Sequence, residues 1–165
     1  MKSLRINGEG DRIRFLDLPG KDTPILFIHG LGCASSYDYP QTACSGCLSS
    51  HRRILADLPG FGYSDHPKNY AYSFADHIHC LSLLIEELKL GDFIIFGHSM
   101  GGALAVSLAK KYESRVKALI ISEGNLDPGG GFLSKRVAAY SLKDYLEYGH
   151  ETIIRYRLRA GYTDW

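Results

Sequence analysis

The sequence predicts an α/β fold: a mostly parallel sheet of about six strands, opened by an N-terminal hairpin, with helices on both faces and a helical C-terminal segment. Three observations predict it. Short apolar runs suited to buried strands alternate with stretches of helical periodicity. Two β-type runs separated by a glycine-rich turn stand at the start. A later apolar run leads straight into a serine flanked by glycines, and a helical pattern comes immediately after.

Leu4–Asn7 and Arg12–Leu18 form the hairpin around Gly8-Glu9-Gly10, and the Pro/Gly/Asp punctuation from Pro19 to Pro24 ends it. Ile25–Ile28 is continuously apolar, as a strand buried on both faces of a parallel sheet must be. Arg53–Asp57 is a weaker strand candidate, and Phe93–Phe96 and Val116–Ile121 are strong ones. Between them, Phe74, Ile78, Leu81, Ile85 and Leu88 recur at spacings of three and four, giving one apolar stripe. Ser73 with Asp76 has the form of a capping box at its start. Met100–Tyr112, rich in Ala and Leu, reads as a buried helix, and this alternation implies right-handed crossovers. After Glu123 the character changes. Gly124–Gly131 reads as a loop, with Asp127 a turn former. From Leu133 to Trp165, Val137, Tyr140, Leu142, Tyr145, Leu146, Ile153, Ile154 and Leu158 give apolar faces to short helices. The domain boundary is expected between residues 1–131 and 132–165.

Composition excludes several function classes. With 165 residues, 45% apolar and 22% charged, the chain can bury a sizeable core. A net charge of +1 offers no basic field for nucleic acid or an anionic membrane. The first residues lack an apolar signal-peptide core, and no apolar run approaches the roughly 20 residues needed to cross a bilayer. A cytoplasmic location is therefore expected. Cys44 and Cys47 form a C-x-x-C, but a tetrahedral metal site would have to recruit Cys33, His51 or Cys80 from other elements. Neither a metal nor a cofactor is expected. Gly101-Gly102 is not followed by the Lys-Ser/Thr of a phosphate-binding loop. Gly60-Phe61-Gly62 lacks the third glycine of a dinucleotide fingerprint, with Asp65 in its place.

Chemistry concentrates at Gly97-His98-Ser99-Met100-Gly101. A strand before and a helix after make G-x-S-x-G a tight turn, in which side chains at 97 and 101 would collide. Such a turn lifts a serine clear of the sheet at a helix N-terminus, where the dipole favours developing negative charge. His29-Gly30-Leu31-Gly32 comes directly after the strand Ile25–Ile28. Its glycines let backbone N–H groups face a nucleophile, and the pair expected to hold an oxyanion is Leu31 N–H with Met100 N–H. His29 reads as a hydrogen-bonded structural residue.

These motifs resemble the α/β-hydrolase superfamily, in its serine-nucleophile branch and in family order. His29-Gly30-Leu31-Gly32 is similar to the oxyanion loop, and Asp57-Leu58-Pro59-Gly60-Phe61-Gly62-Tyr63-Ser64 to the D-x-x-G-x-G-x-S loop after the next strand. Gly97–Gly102 is similar to the nucleophile elbow. The resemblance covers about residues 1–130, and the remaining residues are similar to the start of the variable helical lid. It implies a hydrolase acting on a carboxylic ester or related acyl substrate through Ser99. Serine at this position argues against the epoxide-hydrolase and dehalogenase branches, whose nucleophile is Asp.

The triad that the resemblance implies is incomplete. The family order is Ser, then Asp or Glu, then His. Glu123, closing the strand before it, is the acid candidate. The only histidine after Ser99 is His150, inside the lid-like helices. His66, His77 and His79 read as surface residues of a loop and helix. The chain thus resembles the N-terminal part of a longer hydrolase, with weak or no activity expected of it alone. The alternatives are a non-catalytic hydrolase-fold protein that binds a small molecule or partner, and a cofactor-free haloperoxidase-type enzyme. The last apolar strand is expected at an exposed sheet edge, favouring self-association.

Overall fold

A computed structural model describes residues 1–127 and 132–159. Six strands form one sheet: β1 (Lys2–Arg5), β2 (Arg12–Leu18), β3 (Asp22–Ile28), β4 (His51–Asp57), β5 (Phe93–His98) and β6 (Val116–Ser122). Their spatial order is β1-β2-β4-β3-β5-β6. The hairpin β1–β2 is antiparallel, β2 pairs antiparallel with β4, and β4, β3, β5 and β6 run parallel. The predicted fold class is the observed one.

From β3 the chain moves to β4 on one side, then returns to place β5 and β6 on the other. The strand order therefore reverses between β3 and β5. In open parallel sheets the crevice beyond the carboxyl ends at such a reversal is where ligands bind. The β3 and β5 ends lie side by side there, with Phe27 opposite Phe96 and Ile28 opposite Gly97.

Two apolar clusters hold the sheet. On one face, Leu26, Ile28, Ile54, Ala56 and Ile95 pack with Cys80, Leu81, Leu84 and Ile85 of α3 (Phe74–Glu87) and with Leu104, Ala105 and Leu108 of α4 (Met100–Lys111). On the other, Ile25, Phe27 and Leu55 meet Tyr39 and Ala43, contributed around the short helices α1 (Ser35–Asp38) and α2 (Pro40–Ala43). Ser73 and Asp76 make the expected capping box on α3. The buried face of α3 is turned from the expected stripe. Phe74 is 47% exposed, whereas His77, expected at the surface, is 2% exposed. His66 and His79 are exposed as expected.

Strand boundaries differ at their polar ends. β3 starts at Asp22, inside the Pro/Gly/Asp punctuation, because the register shifts between Asp22 and Ile25 and Pro24 falls in that irregularity. β4 starts at His51, which pairs with Asp22. Arg53, buried at its head, donates to the carbonyls of Pro19, Ser49 and His51 and so fixes the segment that carries the C-x-x-C. Cys44 and Cys47 are both exposed, and among the described residues no cluster of three or more His, Cys, Asp or Glu is placed to hold a metal ion.

The chain divides into two compact units, Met1–Gly124 and Asn125–Trp165. The second contains α5 (Phe132–Ala138), α6 (Leu142–Asp144), a π-helical turn (Tyr145–Gly149) and α7 (His150–Arg159). Within it Ile153 is buried and Tyr140 packs edge-on against Tyr145 and Tyr148, whereas Leu142 and Leu146 are exposed. The expected contributions of residues 128–131, of the Leu158 side chain and of residues 160–165 lie outside the described residues. No described helix is long and apolar enough to cross a membrane.

Candidate active site

Ser99 stands between β5 and α4 with φ 52° and ψ −118°, a positive-φ conformation that side chains rarely adopt. Such strain persists only where the surroundings over-determine it. Here Ser99 N–H donates to Ser122 O at 2.9 Å, tying the turn to the end of β6, and Ser99 O accepts from Gly102 N–H at 2.9 Å. The flanking glycines have the steric role their spacing predicts. A Cβ at Gly97 would come within 3.0 Å of the Gly101 carbonyl, and one at Gly101 within 3.0 Å of the carbonyls of Ile28 and His29. The elbow is thus wedged against the end of β3.

The loop after β3 meets it there. A Cβ at Gly30 would lie 3.1 Å from the Ser99 Cβ and 3.3 Å from His98 Cδ2, so a side chain here would press on the elbow, which would have to give by a few tenths of an ångström. Gly32 has φ 72°, the conformation for which glycine is suited. Leu31 and Met100, the expected donors, are half-buried. Among the described residues neither N–H is taken by an acceptor of the chain. At Met100 this is the unpaired N–H of a helix first turn. His98 turns toward β6, with Nδ1 3.4 Å from Ser122 Oγ. Glu123, directly after β6, is exposed and has φ 49°. Adjacent strands are therefore each followed directly by a positive-φ non-glycine residue, Ser99 after β5 and Glu123 after β6.

His29 is fully buried, and burial lowers its pKa below the usual histidine value. Its Nε2 accepts Leu58 N–H at 3.0 Å and its Nδ1 lies 2.7 Å from Gly30 O. Both nitrogens are engaged, which fits a structural residue and not a base. His150 begins α7 in the second unit, 5.9 Å from the Tyr145 ring.

The residue that sequence reasoning misses is Asp57 as an organising group. This buried carboxylate accepts from Ser36 N–H at 2.9 Å, Ser36 Oγ–H at 2.7 Å and Tyr63 N–H at 3.0 Å. It binds the loop after β4 to the start of α1, which ends the oxyanion-type loop. Gly62 has φ 54° and a Cβ there would strike the Asp57 carboxylate. Ser64 Oγ closes the same loop, donating to Asp57 O and accepting Arg14 N–H at 2.8 Å. An aspartate closing an apolar strand six residues before Tyr63 is the signal from which it could be found.

Known proteins resemble this chain in sequence and in fold. Residues 23–148 match the family described by its alpha/beta hydrolase fold. A 2-hydroxymuconate semialdehyde hydrolase of Pseudomonas putida is 38% identical over 103 residues, 62% of this chain and 36% of the relative. A haloalkane dehalogenase of Psychrobacter cryohalolentis is 28% identical over 128 residues, 73% of this chain and 42% of the relative. Among solved structures, a meta-cleavage product hydrolase from Pseudomonas fluorescens superposes with a TM-score of 0.71 at 26% identity, covering 86% of this chain and 52% of that one. This chain spans about a third to a half of the length of these relatives. The sheet order, the elbow and the family match agree, and the chain belongs to the alpha/beta hydrolase fold family.

Proposed function

We propose that this chain carries the nucleophile half of a serine hydrolase acting on a carboxylic ester or related acyl substrate. The observation that carries the proposal is Ser99 held at φ 52°, with the Gly30 backbone packed against it. Ser99 Oγ attacks the acyl carbonyl, and the Leu31 and Met100 N–H groups receive the oxyanion as it forms. The α4 N-terminus adds a favourable field for that charge. Glu123 holds the acid position. The nucleophile still needs a base. Both nitrogens of His29 are committed, and His150 is the only histidine after Ser99. Turnover by the chain alone is therefore expected to be slow or absent. The names of similar proteins support the hydrolase reading: one is a 2-hydroxymuconate semialdehyde hydrolase, another a meta-cleavage product hydrolase.

A fluorophosphonate probe tests this by direct phosphonylation of the nucleophile. Slow labelling is expected at Ser99, since no base activates it, and is lost in Ser99→Ala. A folded sample that takes up no label removes the active-enzyme reading. It would favour the second one, a non-catalytic hydrolase-fold binding protein. The haloperoxidase-type alternative shares the same seat and the same need for a base.

The β6 edge gives a second expectation. Leu119, Ile120 and Ile121 are each more than a third exposed on the last strand of the described sheet. Edge strands ordinarily carry charges, bulges or a cover that block pairing, and here the run from Ala118 to Ile121 has no charge. We infer self-association through β6 of a second copy. Size-exclusion chromatography is expected to show a dimer that Ile120→Lys converts to monomer. A wild-type monomer at modest concentration would count against it.

A further inference from the structure

The bonds around His29 fix more than its own ring. Its Nε2 accepts Leu58 N–H at 3.0 Å, so the single proton of the neutral imidazole sits on Nδ1. Nδ1–H then donates to Gly30 O at 2.7 Å. That carbonyl shares a peptide unit with Leu31 N–H. The unit is planar and, with no cis bond in the described chain, trans. In a trans peptide C=O and N–H point in opposite directions. Drawing the Gly30 carbonyl toward the His29 ring therefore turns Leu31 N–H away from it. The Gly30 backbone abuts Ser99, with a Cβ position 3.1 Å from the Ser99 Cβ. Only one other hold on the carbonyl exists among the described residues, the longer bond from Cys33 N–H at 3.3 Å. The ring is itself clamped by Leu58, the residue after Asp57, and by the edge of Phe61 at 5.2 Å.

We propose that His29 is a positioning residue that aims the Leu31 N–H at the oxyanion site beside Ser99, acting through the Gly30 carbonyl. The proposal rests on the reading of Leu31 and Met100 as oxyanion donors. It also gives the loop after β4 a part in the site, since Asp57 orders the loop, Leu58 orients the ring, and the ring orients the peptide.

Two substitutions separate aiming from stability. His29→Asn offers an amide donor where Nδ1–H was and leaves Leu58 N–H unpaired. His29→Gln reaches the Nε2 position, where its oxygen can accept from Leu58, and offers Gly30 no donor. Fluorophosphonate labelling of Ser99 is expected within about threefold of wild type in His29→Asn and about 10-fold slower or worse in His29→Gln. Melting temperature is expected to fall further in His29→Asn, the reverse order. Labelling rates that track melting temperature, or that match wild type in both variants, overturn the proposal.

A readout independent of labelling keeps the two readings distinct. Residual dipolar couplings report the Leu31 N–H direction, which should be kept in His29→Asn and turned in His29→Gln. If the wild type takes up no label, the active-enzyme reading fails, and these couplings still decide the role of His29. An unchanged Leu31 vector in His29→Gln overturns it. In the wild type, long-range proton–nitrogen spectra should show His29 as the Nδ1–H tautomer, and an Nε2–H tautomer also overturns the proposal.

Discussion

Gly101→Ala is expected to unfold the chain or to lower its stability by about 3 kcal/mol or more. The added Cβ would come within 3.0 Å of the carbonyl oxygens of Ile28 and His29. These are backbone atoms at the end of β3, not the far ends of flexible side chains. Moving them means pulling Ile28 out of register with Gly97, in the centre of the parallel sheet. Moving α4 instead would lift Leu104, Ala105 and Leu108 from the core. Neither route is local, so the cost cannot be shed by a rotamer change. Gly91→Ala is the control, because nothing lies within 4 Å of its Cβ position. That substitution is expected within about 0.5 kcal/mol of wild type. Urea unfolding of the two variants measures the difference. A Gly101→Ala protein as stable as Gly91→Ala would mean that the elbow is not packed on β3 as described.

The elbow is legible in the sequence because its steric demand is severe: few residue types survive at positions 97 and 101, and apolar runs on either side mark the strand and helix. The parallel core is legible for a similar reason, since Ile25–Ile28 and Phe93–Phe96 have no polar face to lend to solvent. Sequence reading fails where polar residues have structural roles. Arg53 is buried because neighbouring carbonyls receive its guanidinium, and its charge alone gives no sign of them. Pro24 enters a strand because a register irregularity spares the missing N–H. His77 reads as a surface residue because apolar spacing ranks Phe74 above it. In the fold, Tyr70 OH lies 3.1 Å from His77 Nδ1, and Phe61 and Tyr70 flank the ring. Asp57 belongs with these: its motif is visible, but its three donors come from α1 and from its own loop.

That buried histidine sets the pH dependence of the fold. Burial lowers the His77 pKa from 6.5 to about 4, with repulsion from His29 acting in the same direction and Asp76 opposing it. The unfolded chain therefore binds a proton that the folded chain refuses. Stability is full above pH 6.5 and is lost as pH falls toward 4. For this one group the loss between pH 7 and pH 5 comes to about 2 kcal/mol. His29, also lowered by burial, adds to the loss in the same sense. The carboxylates act in a separate window. Asp17, held low chiefly by its bond to Arg52, and Asp65, held low by Arg14, give up their contribution only as they protonate in more acid solution. His77→Asn places an amide where Nδ1 was, keeps a polar partner for the Tyr70 hydroxyl and removes the titration. Its unfolding free energy should therefore change less between pH 7 and pH 5 than that of the wild type, by about 2 kcal/mol. The same slope in both proteins would show that His77 is not the group excluded from water. A wild type that grows more stable on acidification in this range would reverse the sign for both buried histidines.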